Sequence, residues 1–283
     1  MKLVYFDKIP NFGDTMNAEL FPALLPSLPW SNAGCSDIGA SHFVGIGSIL
    51  DARLDHDGRT VVFGTGIRST ERLPNLKRGV WDIRFVRGPL SARAVNARFI
   101  TDSAYAYALL HPPAPRERKR VSFVPHYATA MEDGPVWRSI CDKLGIVYVD
   151  PRAPFHEVTE TLLSSRLVIS EAMHGAIFAD LNRIPWIAFK ARVAAREGPT
   201  NDLKWQDWTT SLDIDWAPRT LPVFWPARDL VDRLKRRVKI RLATRQLARL
   251  VKAEASLSGD RPYQSRMDEL AEEVTTLQSQ YGA

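Results

Sequence analysis

Short apolar runs of three to five residues, bounded by Gly, Pro, Asp or Ser, alternate with longer stretches in which apolar and polar positions mix. In the first half the runs fall at 3–6, 42–46, 60–63, 83–86 and 98–100. Several are continuous and β-branched, the pattern of strands covered on both faces of a parallel sheet. Segments 15–25 and 89–96 read as helices between them. The second opens with Pro89 in its first turn, where a missing N–H costs no helical hydrogen bond.

The pattern breaks after Leu110, in a stretch with Pro112, Pro113 and Pro115 followed by charges to Arg120. Neither a helix nor a central strand continues through it, so it is expected to be a linker. Beyond it strands at 121–124, 146–149, 167–170 and 186–189 alternate with helices at 136–144, 155–164 and 174–181. Strand alternating with helix predicts βαβ units and parallel sheets. The expected organisation is α/β: two Rossmann-like domains, 1–112 and 120–226, facing across a cleft, and a basic helical extension, 227–283. Ligands in open α/β sheets bind beyond the carboxyl ends of the strands, so the site is expected in strand-end loops of both halves.

Composition narrows the class. The 283 residues are 45% hydrophobic and 25% charged, which excludes wholesale disorder and collagen-like repeats. Two cysteines, Cys35 and Cys141, are too few for a disulfide scaffold and suit a reducing compartment. No run approaches the ~20 apolar residues of a membrane-spanning helix, and the first residues lack a signal-peptide stretch. The expected location is the cytoplasm, with a peripheral position on the inner face of the plasma membrane for the basic segment. The net charge of +6 is concentrated there: residues 228–252 hold ten Lys/Arg against two Asp, and the rest is near neutral. Nucleic acid is therefore not an expected partner, since no extended basic face or aromatic interleaving accompanies the segment. Val231, Leu234, Val238 and Leu242 recur at helical spacing, which suits a helix lying on anionic lipid or, alternatively, one packed on the body.

Candidate chemistry lies at the strand ends. The first loop holds Asn11, Gly13, Asp14 and Asn17 ahead of a helix whose amides suit an anion; plain loop and cap chemistry is the alternative. Gly45-Ile46-Gly47-Ser48 and Gly64-Thr65-Gly66-Ile67 let backbone approach a ligand, but neither is a dinucleotide fingerprint or a Walker loop. Arg87, at a strand end before a helix, can bind carboxylate or phosphate bidentately or form a salt bridge to a structural Asp. In the second half His126 and His174 each close a buried-type strand, with Glu171 three residues before His174 and Gly175 just after. Such positions favour a working imidazole over a structural one. Lys190, Arg192 and Lys204 follow the last strand. No Cys/His spacing resembles a zinc site and the carboxylates are not clustered for Mg²⁺.

In series, these motifs resemble the polysaccharide pyruvyl transferase family. The matching elements are Asn11-Phe12-Gly13-Asp14 with Asn17, Gly64-Thr65-Gly66, Val86-Arg87-Gly88-Pro89 with Ser91, Thr101-Asp102, Val124-Pro125-His126, and Met173-His174-Gly175 ahead of Ile184-Pro185. The closest flavour is the branch that adds ketal pyruvate to exopolysaccharides of the succinoglycan type. The resemblance implies a GT-B-like fold, phosphoenolpyruvate as donor, a lipid-linked oligosaccharide as acceptor and no cofactor or metal. It casts His174 as general acid/base, Arg87 as the donor's cation and Asp14 as a second base. Asn11, Gly13, Asn17, Gly66, His126, Glu171, Gly175 and Lys204 are the expected binding residues. Many relatives carry Arg-Leu-His-Gly where this chain has Ala172-Met173-His174-Gly175, so donor binding leans on Arg87, His126 or Lys204. A GT-B glycosyltransferase using a nucleotide sugar, and a non-catalytic membrane-associated assembly protein, are the alternatives.

Overall fold

Every strand in the sheets runs parallel to its neighbours, as the continuous apolar runs predict. A computed structural model describes residues 1–30, 41–226 and 228–281. The elements are β1 Lys2–Leu3, α1 Phe12–Leu24, β2 His42–Val44, β3 Arg59–Phe63, β4 Val80–Phe85, α2 Pro89–Val95 and α3 Tyr107–Leu110. There follow β5 Arg120–Val124, α4 Tyr127–Leu144, β6 Val147–Tyr148, α5 Phe155–Leu163, β7 Ser165–Ser170, α6 Met173–Leu181, β8 Trp186–Lys190 and α7 Arg192–Glu197. The chain closes with α8 Pro199–Thr210, β9 Arg219–Thr220, α9 Leu230–Leu250 and α10 Asp260–Tyr281. Contacts divide these into two units. One comprises Met1–Pro113, Asp202–Trp216 and Ser258–Ala283; the other comprises Ala114–Asn201 and Ala217–Leu257.

The first unit holds a sheet of order β1-β2-β3-β4. The run expected as a strand at 98–100 is reduced to a single bridge between Val86 and Phe99. Phe43, Phe63 and Phe85, one from each of three adjacent strands, form a ladder with ring centroids 5.8 and 4.7 Å apart. Phe21 of α1 packs on it, 4.8 Å from Phe43. α1 buries Phe12, Met16, Leu20 and Leu24 at the four-residue interval that places side chains on one helical face. It begins three residues before the expected start because Asn11 caps it, accepting the Gly13 amide at 3.2 Å.

The second unit has the order β6-β5-β7-β8-β9. Numbered from β5 this is 2-1-3-4-5, the flavodoxin-like doubly wound order, whose switch point lies between β5 and β7. Phe123, Trp137 and Phe189 stack in its core with Ile169, Ile187 and Leu221 around them. α4 is twice the expected length. Gly134-Pro135 reads as a breaker, yet the helix runs through it from a cap at His126, held where Trp137 is buried and Asp133 is paired with Arg192.

The segment expected as one basic tail is two helices in different units. Ala243, Leu247 and Leu250 of α9 enter the core of the second unit. α10 carries Asp268, Glu269, Glu272 and Glu273 and buries Met267, Leu270, Val274 and Leu277 in the first. Glu273 is buried there against Arg84 and Arg98. Cys35 lies outside the described residues. Cys141 is buried, and burial pushes its thiol up to about 12. Because the thiolate is the nucleophile, Cys141 should resist alkylation near pH 8 in the native protein and react once it unfolds. Peptide mass mapping after iodoacetamide treatment checks this.

Candidate active site

In the first unit the motif loops follow the carboxyl ends of β1 to β4 and are knitted to one another. Asn17 is fully buried; its amide donates to the Ile46 carbonyl at 3.0 Å and its carbonyl accepts the Ile46 amide at 2.9 Å, tying α1 to the loop after β2. The Gly47 carbonyl accepts from the Thr65 hydroxyl at 3.1 Å, the Gly66 amide at 3.0 Å and the Arg87 guanidinium at 3.2 Å. Asn11 donates to the Asp14 carboxylate at the head of α1. Gly13 is buried in that turn, Asp14 is half-buried, and Lys204 is half-buried on α8.

Arg87 is the centre of this arrangement and is fully buried. It donates from Nε to Asp207 Oδ2 at 3.1 Å, and its terminal nitrogens reach Ser48 Oγ at 2.6 Å and the Ile67 carbonyl at 3.4 Å. This is the structural salt bridge weighed above as the alternative to anion binding. Asp207 Oδ1 also accepts the Leu90 and Ser91 amides, each at 2.9 Å, so a side chain from α8 already caps the N-terminus of α2. Ser91 Oγ donates to Asp207 Oδ2 at 2.5 Å and accepts the Ile67 amide at 3.0 Å. A Cβ on Gly66 would collide with the Arg87 guanidinium, and one on Gly88 with the Asp207 carbonyl. Both glycines serve close backbone approach to this pair. The role of Asp207 was not read from the sequence. Its signal there is a lone acid between Trp205 and Trp208 on a helix, a place where an unpaired carboxylate would be costly.

In the second unit the structure gathers His126, Glu171, His174 and Gly175 beyond the carboxyl ends of β5 and β7, the adjacent strands of the switch point. Glu171 is buried and holds the loops after three strands. Its carboxylate accepts the His126 amide at 3.0 Å and the Val193 amide at 3.2 Å. Burial pushes its carboxyl above the usual range, opposed by the amides of His126, Val193 and Ala191. His126 Nδ1 accepts the Ala128 amide at 3.2 Å, capping α4, so the neutral ring carries its proton on Nε2. His174 is half-buried on the first turn of α6. Gly175 lets that turn pack down: a Cβ there would lie 2.5 Å from Ser170 Oγ and 3.2 Å from Val124 Cγ1. α6 itself starts at Met173, with Ala172 at its N-cap and no side-chain cap hydrogen bond.

Arg192, the first residue of α7, belongs to a buried ion cluster. It meets Asp133 through two donors at 2.8 and 3.0 Å and Glu132 at 2.8 Å. The Asp133 hydrogen bonds raise its pKa further and commit it to structure.

Two parallel sheets with basic, imidazole and carboxyl groups at their carboxyl edges make an α/β architecture of the kind in which ligands bind beyond the strand ends. The sequence profile of the polysaccharide pyruvyl transferases matches residues 27–190. The chain belongs to that family and is a pyruvyl transferase. It is 35% identical over 229 residues to the succinoglycan biosynthesis protein ExoV of Rhizobium meliloti (strain 1021), covering 78% of this chain and 67% of that protein. The profile takes in Gly66, Arg87, His126, Glu171, His174 and Gly175, and leaves Asn11, Gly13, Asp14, Asn17 and Lys204 outside.

Proposed function

We propose that the protein transfers pyruvate from phosphoenolpyruvate to a sugar of a bacterial exopolysaccharide repeat unit, closing a ketal across two hydroxyls. The observation that carries this reading is the convergence of His126, Glu171 and His174 at the switch point of the second sheet, beside the uncapped start of α6. The family and the succinoglycan relative support the class of reaction. The GT-B-like arrangement implied by the resemblance is part of the proposal, as is an acceptor carried on lipid at the cytoplasmic face of a membrane.

In this reading His174 is the general acid that gives a proton to the donor's methylene carbon while one sugar hydroxyl attacks the adjacent carbon. The C=C π bond is consumed, the carbon becomes a methyl group, and a C–O bond forms. Phosphate then departs with the C–O bonding pair, and the second hydroxyl closes the ring. One of the two hydroxyl protons passes to His174, which returns it to its starting state, and the other leaves with phosphate. General acid/base help of this kind contributes ~10²–10⁴-fold. The start of α6 answers an anionic group of the donor, in place of the arginine that Ala172 replaces. His126 presents Nε2–H from a ring whose other nitrogen is already used. Asp14 is the second-choice base. Arg87 acts through position: bound to Asp207, it sets the Gly47 and Gly66 loops.

Incubating the protein with radiolabelled phosphoenolpyruvate or labelled nucleotide sugars, and a lipid-linked oligosaccharide extract, separates the readings. Label should pass from phosphoenolpyruvate to the lipid fraction as an acid-labile group, with release of inorganic phosphate. Transfer from a nucleotide sugar instead would overturn the proposal in favour of a glycosyltransferase.

A further inference from the structure

α9 has two apolar faces and packs with only one of them. Ala243, Leu247 and Leu250 are buried, with Ile240 packed against the same cluster. Leu230, Val231, Leu234, Val238 and Leu242 are between 47% and 78% exposed. At ~100° per residue Val231, Val238 and Leu242 fall within ~40° of one another, Leu234 lies beside them, and the buried face lies on the opposite side. Among the described residues this is the longest succession of exposed large apolar side chains on one element.

The basic residues divide in the same way. Lys239 and Arg236 turn towards the body, donating to the Val223 carbonyl at 3.2 Å and the Trp225 carbonyl at 3.4 Å. Lys235, Arg237, Arg241, Arg245 and Arg249 are exposed and flank or continue the apolar stripe. The two acids, Asp229 and Asp232, sit at the helix start and off the apolar stripe by helical spacing, where Asp229 accepts the Asp232 amide at 2.7 Å. An apolar strip edged by cations, with no acid on that face, is complementary to the boundary between acyl chains and anionic headgroups. A protein partner of ordinary composition has no reason to supply unbroken negative charge along both edges of a hydrophobic ridge.

We infer that α9 is a docking surface for an anionic lipid bilayer, with Val231, Leu234, Val238 and Leu242 entering the interface and Lys235, Arg241 and Arg245 meeting headgroups. No helix among the described residues is long and apolar enough to cross a membrane, so this attachment is in-plane and reversible. The surface stands on α9 alone; it rests on the transferase reading only for the lipid-linked acceptor that it would bring within reach.

Removing the segment is a poor test, because Ala243, Leu247 and Leu250 are core residues. Point variants of the full-length chain avoid this: V231Q/L234Q/V238Q for the stripe and K235Q/R241Q/R245Q for the charges. Both should fold normally, since every substituted side chain is exposed. The wild type should co-sediment with phosphatidylcholine vesicles containing about 30% phosphatidylglycerol and release at about 0.5 M NaCl, where the Debye length is only a few ångströms. Each variant should lose about tenfold or more in partitioning, at about fivefold per basic side chain for the charge set. Absence of vesicle binding, equal binding to pure phosphatidylcholine, or wild-type binding by folded variants overturns the inference. So does a concentration-dependent dimer abolished by the stripe variant in a protein that ignores vesicles. Consumption of labelled phosphoenolpyruvate with a detergent-solubilised acceptor should persist in both variants, so a failed bilayer assay and a failed transferase assay are distinguishable.

Discussion

Breaking the buried pair at the centre of the first unit should produce the largest loss of stability. Arg87→Met leaves the Asp207 carboxylate in a fully buried setting with its cation gone. Removing one member of a buried, hydrogen-bonded ion pair costs about 3–5 kcal/mol, a large share of the ~5–15 kcal/mol that holds a domain folded. Asp207→Ala should cost a similar amount, because it also removes the acceptor for the Leu90 and Ser91 amides and the Ser91 hydroxyl. Urea unfolding of the single variants and of Arg87→Met/Asp207→Leu gives the coupling. The double variant should be less destabilised than the sum of the singles, as no lone charge remains. Arg87→Lys should also act first on stability, since an ammonium cannot span Asp207, Ser48, Gly47 and Ile67 from one plane. A midpoint within error of wild type for Arg87→Met would return Arg87 to direct donor binding.

His174→Ala is expected to lower pyruvyl turnover by about 10²-fold or more while leaving the urea midpoint close to wild type. The side chain is half-buried on the first turn of α6, so its removal opens no sealed cavity. The packing of that turn depends on Gly175 against Ser170 and Val124 instead. The loss should appear in kcat more than in KM, because a proton donor acts in the transition state and contributes little to ground-state binding. Full activity in His174→Ala would make the residue structural and shift the general acid to His126. A fall in stability matching the fall in rate would do the same for its role in folding.

The difference between these two residues shows what a motif can and cannot convey. Arg87 and His174 look equivalent in sequence: each ends a predicted strand and precedes a glycine and a helix. Arg87 is buried and paired with Asp207, which lies 120 positions away in sequence and on a helix that strand-and-helix alternation did not pick out. His174, Glu171 and His126 follow the carboxyl ends of adjacent strands because β5 and β7 are neighbours in the sheet, a fact of strand order that the alternation of elements leaves open. The α9 stripe is similar. Its spacing was visible, but spacing alone suits either a packed or an exposed face, and the side that packs is the one carrying Ile240 and Leu247.

The sequence by itself determined the class of fold, the parallel direction of the strands, the break in the proline-rich stretch and the succession of motifs that marks the family. These depend on local period, on β-branched continuity and on backbone restrictions at Pro and Gly, all of which act over a few residues. Tertiary structure alone decided which charges are buried partners and which face of a helix meets solvent. It also decided that α9 and α10 join different units. Those outcomes turn on desolvation, and the free energy of burying a charge or an apolar face depends on what arrives from elsewhere in the chain to cover it.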